Sequence, residues 1–410
     1  MRKFLASIVL LILCAMVAVM LIASPSSTLA QVMDVTKYIP EEILALVPET
    51  TVPPTTAPTV PATTEAPVPE TTVPPTTEAP VPETTEVVTE PVETEPVETE
   101  PPAPSRFTLT FVGNCTLGAS AKNYNYQQGF INTVGEDYAY NFKNVLTYFS
   151  SDDFTMLNLE SVLTDSTKSS GKEYAFRGPS AYVNILSQNS VEAVSLSNDH
   201  TMDYREAGYQ DTTKNLSDAG ISYAEQDKTL IVTTKRGLTI GIFAAHMDSL
   251  KEADMVSAIS QLKANEEVDL VIFAPHWGND NVYTANATQT KLAHAAIDAG
   301  ANIVYGSHPY VLQPIEEYNG GIIYYSLGNF AYGGNNNPKD HNTALVQQEV
   351  IRDVDGTVKL GKLTVVPCSL SSVSNLNNFQ PTPYEADSNA YKNVLAKLNV
   401  TGMDVAPSVG

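Results

Sequence analysis

From Phe107 onward, short β-rich runs alternate with stretches of helical period. Phe107-Thr-Leu-Thr-Phe-Val112 reads as a strand stopped by Gly113. A helix over about 140–150 precedes a second strand, Phe154-Thr-Met-Leu-Asn-Leu159. The alternation continues with a helix at 180–190, a strand at 191–196 and a helix at 204–219. Strands at 238–244 and 268–274 then flank a helix at 251–265, and a helix at 285–299 precedes a strand at 302–305. Strands and helices alternating at this spacing predict an α/β domain. Three further β-rich segments, 311–318, 321–327 and 343–350, follow without helices between them. They predict a mixed sheet, or a second sheet packed on the first.

The first hundred residues carry no such pattern. Arg2 and Lys3 are followed by an apolar run from Phe4 to about Ala23, broken only by Ser7, with small residues at Ser27, Thr28 and Ala30. Residues 1–30 therefore read either as a cleaved signal peptide or as an uncleaved signal-anchor, since the run is long enough to span a bilayer. Cys14 follows the large Leu13, which disfavours a lipoprotein site. Residues 31–104 read as a stalk. The string TTEAPVPETT occurs at 63–72 and again at 76–85, and PVETE at 91–95 and 96–100. Such Thr/Pro/Glu-rich chain buries too little apolar surface to offset its entropy, and its prolines favour an extended form. From Pro48 to Pro104 it reaches roughly 180 Å at ~3.1 Å per residue. The pattern predicts a disordered spacer that lifts residues 105–370, with an extension at 371–410, away from a membrane. The expected location is extracytoplasmic, secreted or anchored through the N-terminal segment.

Charge narrows the partners. The formal net charge is −23, of which the Glu residues of 41–104 supply −13. Arg2, Lys3, Asp34 and Lys37 contribute +2, so residues 105–410 carry −12. No basic stripe is available to release counterions from a phosphate backbone, which excludes nucleic acid. Cys115 and Cys368 leave one pairing open but make no disulfide framework, and no zinc-type Cys/His spacing occurs.

The polar motifs follow strands, where ligand sites of α/β sheets gather. They are Gly113-Asn-Cys-Thr-Leu-Gly118, Asn158-Leu-Glu160, Ser197-Asn-Asp-His-Thr-Met-Asp203, Pro275-His-Trp-Gly-Asn-Asp280 and Gly306-Ser-His-Pro-Tyr310. His200, His276 and His308 thus fall at strand ends with Glu160 and Asp199. Imidazole plus carboxylate suits Zn, Mn or Fe, which act as Lewis acids. Asp203 and Asn329 read as loop-fixing residues, His294 as a helix packing residue, and His341 as part of a mobile surface loop at 332–342. His246 follows strand 238–244 near the same edge and stays outside the expected ligand set.

These motifs, in this order, resemble the CapA-type poly-γ-glutamate capsule synthesis family. The run from Asp298 to Glu316 and Tyr325-Ser-Leu-Gly-Asn-Phe330 carry the resemblance most clearly. It covers roughly residues 106–370. It implies a metallophosphoesterase-like α/β/β/α sandwich of two mixed sheets flanked by helices. It also implies a role in making, exporting or anchoring capsule polymer, with polyglutamate and membrane synthase subunits as partners. Three positions depart from the family pattern. Asn114 stands where an Asp is usual, Asp199 where an Asn is usual, and Tyr310 where a His is usual. In the related phosphoesterases, the residues matching positions 114 and 310 help hold one metal of a pair. The residue matching Glu160 bridges both metals. Those matching Asp199, His276 and His308 hold the second. The resemblance therefore implies a mononuclear site of Glu160, Asp199, His276 and His308. His200 is placed as general acid, and Asn114 and Tyr310 face substrate. Two other readings stay open: a metal-dependent phosphoesterase-type hydrolase of the envelope, and a non-catalytic polymer-binding module with a degenerate metal site. The cofactor is one divalent transition metal or none.

Overall fold

The computed structural model describes residues 103–400. The expected leader, and all but the last two residues of the expected stalk, lie outside the described residues. In chain order the first strands are β1 (Ser105–Thr116), β2 (Ala119–Ser120), β3 (Phe154–Leu159), β4 (Val162–Leu163), β5 (Phe176–Gly178), β6 (Ala193–Ser195), β7 (Ser222–Ala224) and β8 (Lys228–Thr233). They continue as β9 (Thr239–His246), β10 (Leu270–His276), β11 (Ile303–Tyr305), β12 (Leu312–Tyr318), β13 (Gly321–Leu327), β14 (Asn329–Tyr332), β15 (Asn342–Arg352), β16 (Val358–Ser369) and β17 (Thr382–Pro383). The helices are α1 (Phe130–Val134), α2 (Leu146–Ser150), α3 (Val183–Ser187), α4 (Arg205–Asp218), α5 (Glu252–Ala264), α6 (Ala287–Asp298) and α7 (Asn389–Leu398).

Among the described residues the strands form an eight-stranded sheet in the order β17-β16-β15-β1-β3-β6-β7, with β14 also on β1. A six-stranded sheet runs β12-β13-β11-β10-β9-β8, and a small third sheet joins β2, β5 and β4. Both large sheets are mixed. β1, β3, β6 and β7 run parallel, whereas β15 is antiparallel to β1. β9, β10, β11 and β13 run parallel, with β8 and β12 antiparallel at the edges.

The buried residues sort into layers, because successive strand residues point to opposite faces. Phe107, Leu109 and Phe111 of β1 pack with Ile240 and Ile242 of β9, Leu270 and Ile272 of β10, and Tyr324 of β13. This is the core between the sheets. The Phe111 ring packs at a tilt against Tyr305 and Tyr324, with ring centres 5.1 and 5.8 Å apart. The Tyr305 hydroxyl donates to the Val112 carbonyl and ties β11 to β1 across the layer. The outer face of the first sheet, with Leu157 and Val194, is covered by Ile185, Leu186 and Leu216 of α3 and α4. That of the second, with Val271, Phe273 and Val304, is covered by Met255, Ile259, Leu292 and Ala296 of α5 and α6. The α/β/β/α order implied by the resemblance is the order found.

The late β-rich segments make both sheets mixed, as expected, β12 and β13 joining the second and β15 the first. Other elements differ from the expectation. The helix read at 140–150 is helical only over Leu146–Ser150. The turns before it are held from afar, with the Asn141 side chain donating to the Phe379 carbonyl at 2.7 Å. The pairing left open for Cys115 and Cys368 is not made. Both thiols are free and buried, and burial pushes Cys115 up to about 12. Residues 371–400, the described part of the expected extension, pack into the fold: Ser388 caps α7, and Val394 and Leu398 enter the inter-sheet core.

The end of the first sheet opposite the strand-end motifs carries a carboxyl out of place. Asp152 precedes β3, accepts a hydrogen bond from Thr155 Oγ1 at 2.7 Å, and is raised by burial to about 7. An unfolded Asp titrates near ~3.9. Between that value and 7 the folded state holds the extra proton, so stability falls as pH rises through the window. Asp152→Asn is expected to remove this slope and to stabilise the protein at pH 8 by about 2 kcal/mol. Denaturant unfolding at pH 4 and pH 8 checks it, and an unchanged slope counts against it.

Candidate metal centre

The parallel strands of both sheets end at one edge, and the two sheets bring different chemistry there. The first supplies acids and amides. Asn114 lies near the end of β1, Glu160 directly follows β3, and the loop after β6 carries Asn198, Asp199 and His200. The second supplies imidazoles: His246 and His276 end β9 and β10, and His308 follows β11.

Buried amides floor the site. Asn198 Nδ2 donates to Asn158 Oδ1 at 3.0 Å, and Asn158 Nδ2 donates to Asn114 Oδ1 at 3.1 Å. Asn114 Nδ2 in turn reaches Asn329 Oδ1 at 3.5 Å. Buried amides need such partners, because an unpaired one costs about 1–3 kcal/mol. The chain enters this floor through Gly113, where a Cβ would stand 2.1 Å from the Gly328 carbonyl oxygen. Asn198 Oδ1 also accepts from the backbone of His200 and from Thr201 Oγ1, which sets the direction of the loop holding Asp199 and His200.

Above the floor, His276 Nε2 lies 3.2 Å from Asp199 Oδ2 and 3.8 Å from Glu160 Oε1. His308 Nδ1 lies 3.1 Å from Asp199 Oδ2 and 3.2 Å from His276 Nε2. The outward nitrogens fix where the ring protons are. His276 Nδ1 is 3.1 Å from Ser307 Oγ, whose own proton goes to the Pro275 carbonyl, so Nδ1 donates and Nε2 is bare. His308 Nε2 lies 3.0 Å from Asp280 Oδ1 and donates there, which leaves Nδ1 bare. Two imidazole lone pairs thus face two carboxyl groups, and neither ring puts a proton between them. Such a set fits a cation.

Electrostatics agree. The hydrogen bond from His246 holds Asp199 well below the usual carboxylate range. Burial pushes His276 down to about 3 and keeps its ring neutral. Burial, and then the Asp199 charge, raises Glu160 well above its ordinary value. No hydrogen bond of full geometry reaches either Glu160 oxygen, although the side chain is 1% exposed, and only the nearby Tyr310 hydroxyl opposes the rise. A buried carboxylate without a partner is costly unless a cation meets it.

The backbone is strained at this point. His308 and Tyr310 sit at φ 101° and 62°, a region that side-chain-bearing residues rarely occupy. Observed strain of this kind concentrates at binding and catalytic sites.

A cleft of ≈ 600 Å³ opens in front, lined among others by Asp199, His200, Asp280, His308, Tyr310 and Tyr332. His200 faces it without touching the four converging atoms. Its Nδ1 bonds Asp203 Oδ2 at 2.7 Å, and its ring packs on Phe176 with centres 4.7 Å apart. Asp203, fully buried, also accepts from the Phe176 amide at 2.6 Å. Tyr310 lines the cleft, and burial and then the Glu160 charge raise its hydroxyl's pKa. Asn114 is 1% exposed, and its side chain is committed to the amide floor.

Two residues of the site were not singled out in the sequence. Asp280 ends a quoted motif, and its His308 contact arises only when the loops after β10 and β11 meet. His246 was placed outside the ligand set, yet its Nε2 lies 3.0 Å from Asp199 Oδ1. The parallel register of β9 and β10 sets it beside His276. His294 pairs with Glu316 at 2.9 Å and stacks on Tyr318, away from the centre.

Comparison with known proteins follows the same lines. Residues 108–333 match the model of the bacterial capsule synthesis protein PGA_cap. The chain is 29% identical over 314 residues to the PGA biosynthesis protein CapA of Bacillus subtilis, covering 71% of this chain and 77% of that one. It is 30% identical over 297 residues to the capsule biosynthesis protein CapA of Bacillus anthracis, covering 66% and 69%. Among solved structures, the NAD nucleotidase of Haemophilus influenzae overlaps with a TM-score of 0.39 at 10% identity, over 74% of this chain and 64% of that one. The motifs at the shared strand edge lie within the matched span, and the chain belongs to the bacterial capsule synthesis protein family PGA_cap.

Proposed function

We propose that this chain acts on the outer side of the membrane in the making, export or anchoring of a poly-γ-glutamate-type capsule. In this reading its cleft holds polymer at a centre of one divalent transition metal. The convergence of two bare imidazole nitrogens on two carboxylate oxygens carries the reading. Glu160, Asp199, His276 and His308 would hold the ion. When bound, it supplies Lewis acidity to an oxygen of the bound chain or of water. The positions that would complete a second metal's ligands hold Asn114 and Tyr310. The amide is spent on the floor, and the phenol is a poor ligand while its proton is held so firmly. A two-metal clamp has no private ligands on that side.

The His200–Asp203 pair favours a second reading, envelope hydrolase. Asp203 holds the His200 proton on Nδ1 and leaves Nε2 facing the cleft, where it can take up or release a proton. Tyr310 supplies a hydroxyl that stays protonated and donates a hydrogen bond.

Full-length protein assayed for metal content, for retention on poly-γ-glutamate and for phosphodiester turnover tests both readings. One equivalent of metal with chelator-sensitive polymer retention supports the first. Turnover that falls about 10²–10⁴-fold in His200→Ala, with metal content unchanged, supports the second. No stoichiometric metal in the unsubstituted protein sinks both.

A further inference from the structure

Resting on the metal reading above, the geometry points to His246 as a positioning residue of the centre rather than one of its ligands. Distance alone allows either role, since ligand-type atoms of Asp199, His246 and His276 all lie within 4.8 Å of one another. The hydrogen bonds decide between them. The Asp248 backbone N–H donates to His246 Nδ1 at 3.2 Å. A ring nitrogen that accepts carries no proton, so the proton of the neutral ring is on Nε2. That nitrogen lies 3.0 Å from Asp199 Oδ1 and donates to it. A protonated nitrogen has no lone pair for a metal. His276, on the adjacent strand, has the opposite tautomer, because Ser307 accepts from its Nδ1.

The clamp answers a specific need. Asp199 sits on a loop, and its side chain is 38% exposed. Without a partner for Oδ1, the carboxylate can rotate about its Cβ–Cγ bond. Water reaches this side as well. A second cleft of ≈ 490 Å³, lined by Asp199, His246, Asp248 and Ser249 among others, opens behind the centre. His246 occupies Oδ1 and leaves Oδ2 facing His276 and His308. Hydrogen bonds of this kind to ligating carboxylates contribute about 10–100-fold to metal affinity.

Titration of full-length protein with Co²⁺, followed by visible absorption, tests the assignment. His246→Ala is expected to weaken binding about 10–100-fold while keeping one equivalent and the same band shape and intensity. His246→Gln, whose amide N–H can meet the same oxygen, is expected to recover most of the loss. Unchanged affinity in His246→Ala overturns the proposal. So does a band altered as in His308→Ala, which would mark a lost nitrogen ligand. ¹⁵N NMR of the metal-free full-length protein gives an independent readout: a proton on His246 Nε2 is expected, and one on Nδ1 with a bare Nε2 overturns the clamp. Failure of the unsubstituted protein to bind Co²⁺ overturns the metal reading itself, and with it this role for His246. The titration of that protein alone separates the two failures.

Discussion

His276→Ala is expected to abolish stoichiometric metal binding, weakening affinity at least about 100-fold. His276 faces both carboxylates and His308, so its removal opens the centre on every side. Its bare Nε2 is prepared by Ser307 and by burial. The effect should also appear in stability. A metal at about 100 times its Kd stabilises the folded state by about 2.7 kcal/mol. Chelation should therefore lower the Tm of the unsubstituted protein by about 5 °C. The Tm of His276→Ala should not respond to chelator. Metal analysis after dialysis, paired with thermal melts, checks both parts. A variant that keeps the normal metal content would show that the four atoms are not the centre.

Glu160→Gln is expected to move affinity and stability in opposite directions. The substitution removes a ligand charge, so metal affinity should fall by about 100-fold or more. In metal-free protein the same change removes a buried ionisable group that is disfavoured in its charged form. The folded pKa of Glu160 lies well above its ordinary value, chiefly through burial. Above the unfolded value of about 4.3, the unfolded chain loses this proton while the folded one retains it. The group's contribution to stability therefore falls as pH rises from there toward the folded pKa. Gln cannot ionise, so Glu160's share of the slope should vanish and the metal-free variant should be more stable at pH 7–8 by about 1–3 kcal/mol. Unfolding of chelated protein at pH 4 and pH 8 measures this. A Glu160→Gln variant that is less stable than its parent at pH 8 would show that the carboxylate is satisfied without metal.

Much of the site was legible because its residues belong to local strand-end motifs. Glu160, Asp199, His276 and His308 each follow a strand that its own apolar run announces, and His276 Nε2 lies within 3.8 Å of an atom of each of the other three. His200 and Tyr310 line the expected cleft. What escaped depends on register and loop meeting. Asn114 was expected to face substrate, but the pairing of β1 with β3 sets it against Asn158 and turns its amide inward. His246 looked peripheral because nothing within its own segment marks it. It matters only because the parallel β9–β10 pairing places it beside His276.

The fold divides similarly. β1, β3, β9 and β10 were readable from buried runs of β-branched and aromatic residues. The edge strand β8 was not, because Lys228-Thr-Leu-Ile-Val-Thr233 exposes or half-exposes every side chain. The β16 strand and α7 helix were also unread, since both take their order from contacts with distant chain, β16 along β15 and α7 against the inter-sheet core.

The sequence by itself determined an acidic α/β domain with Asp, Glu and His at strand ends in the order of the capsule synthesis family. These are local or compositional properties, carried by residues near one another along the chain. Only the tertiary structure decided that one sheet supplies the acids and the other the imidazoles, which nitrogen of each ring is bare, and which oxygen of Asp199 is free to meet a metal. Those follow from strand register and from loops meeting across the two sheets, where the partners lie tens to hundreds of residues apart.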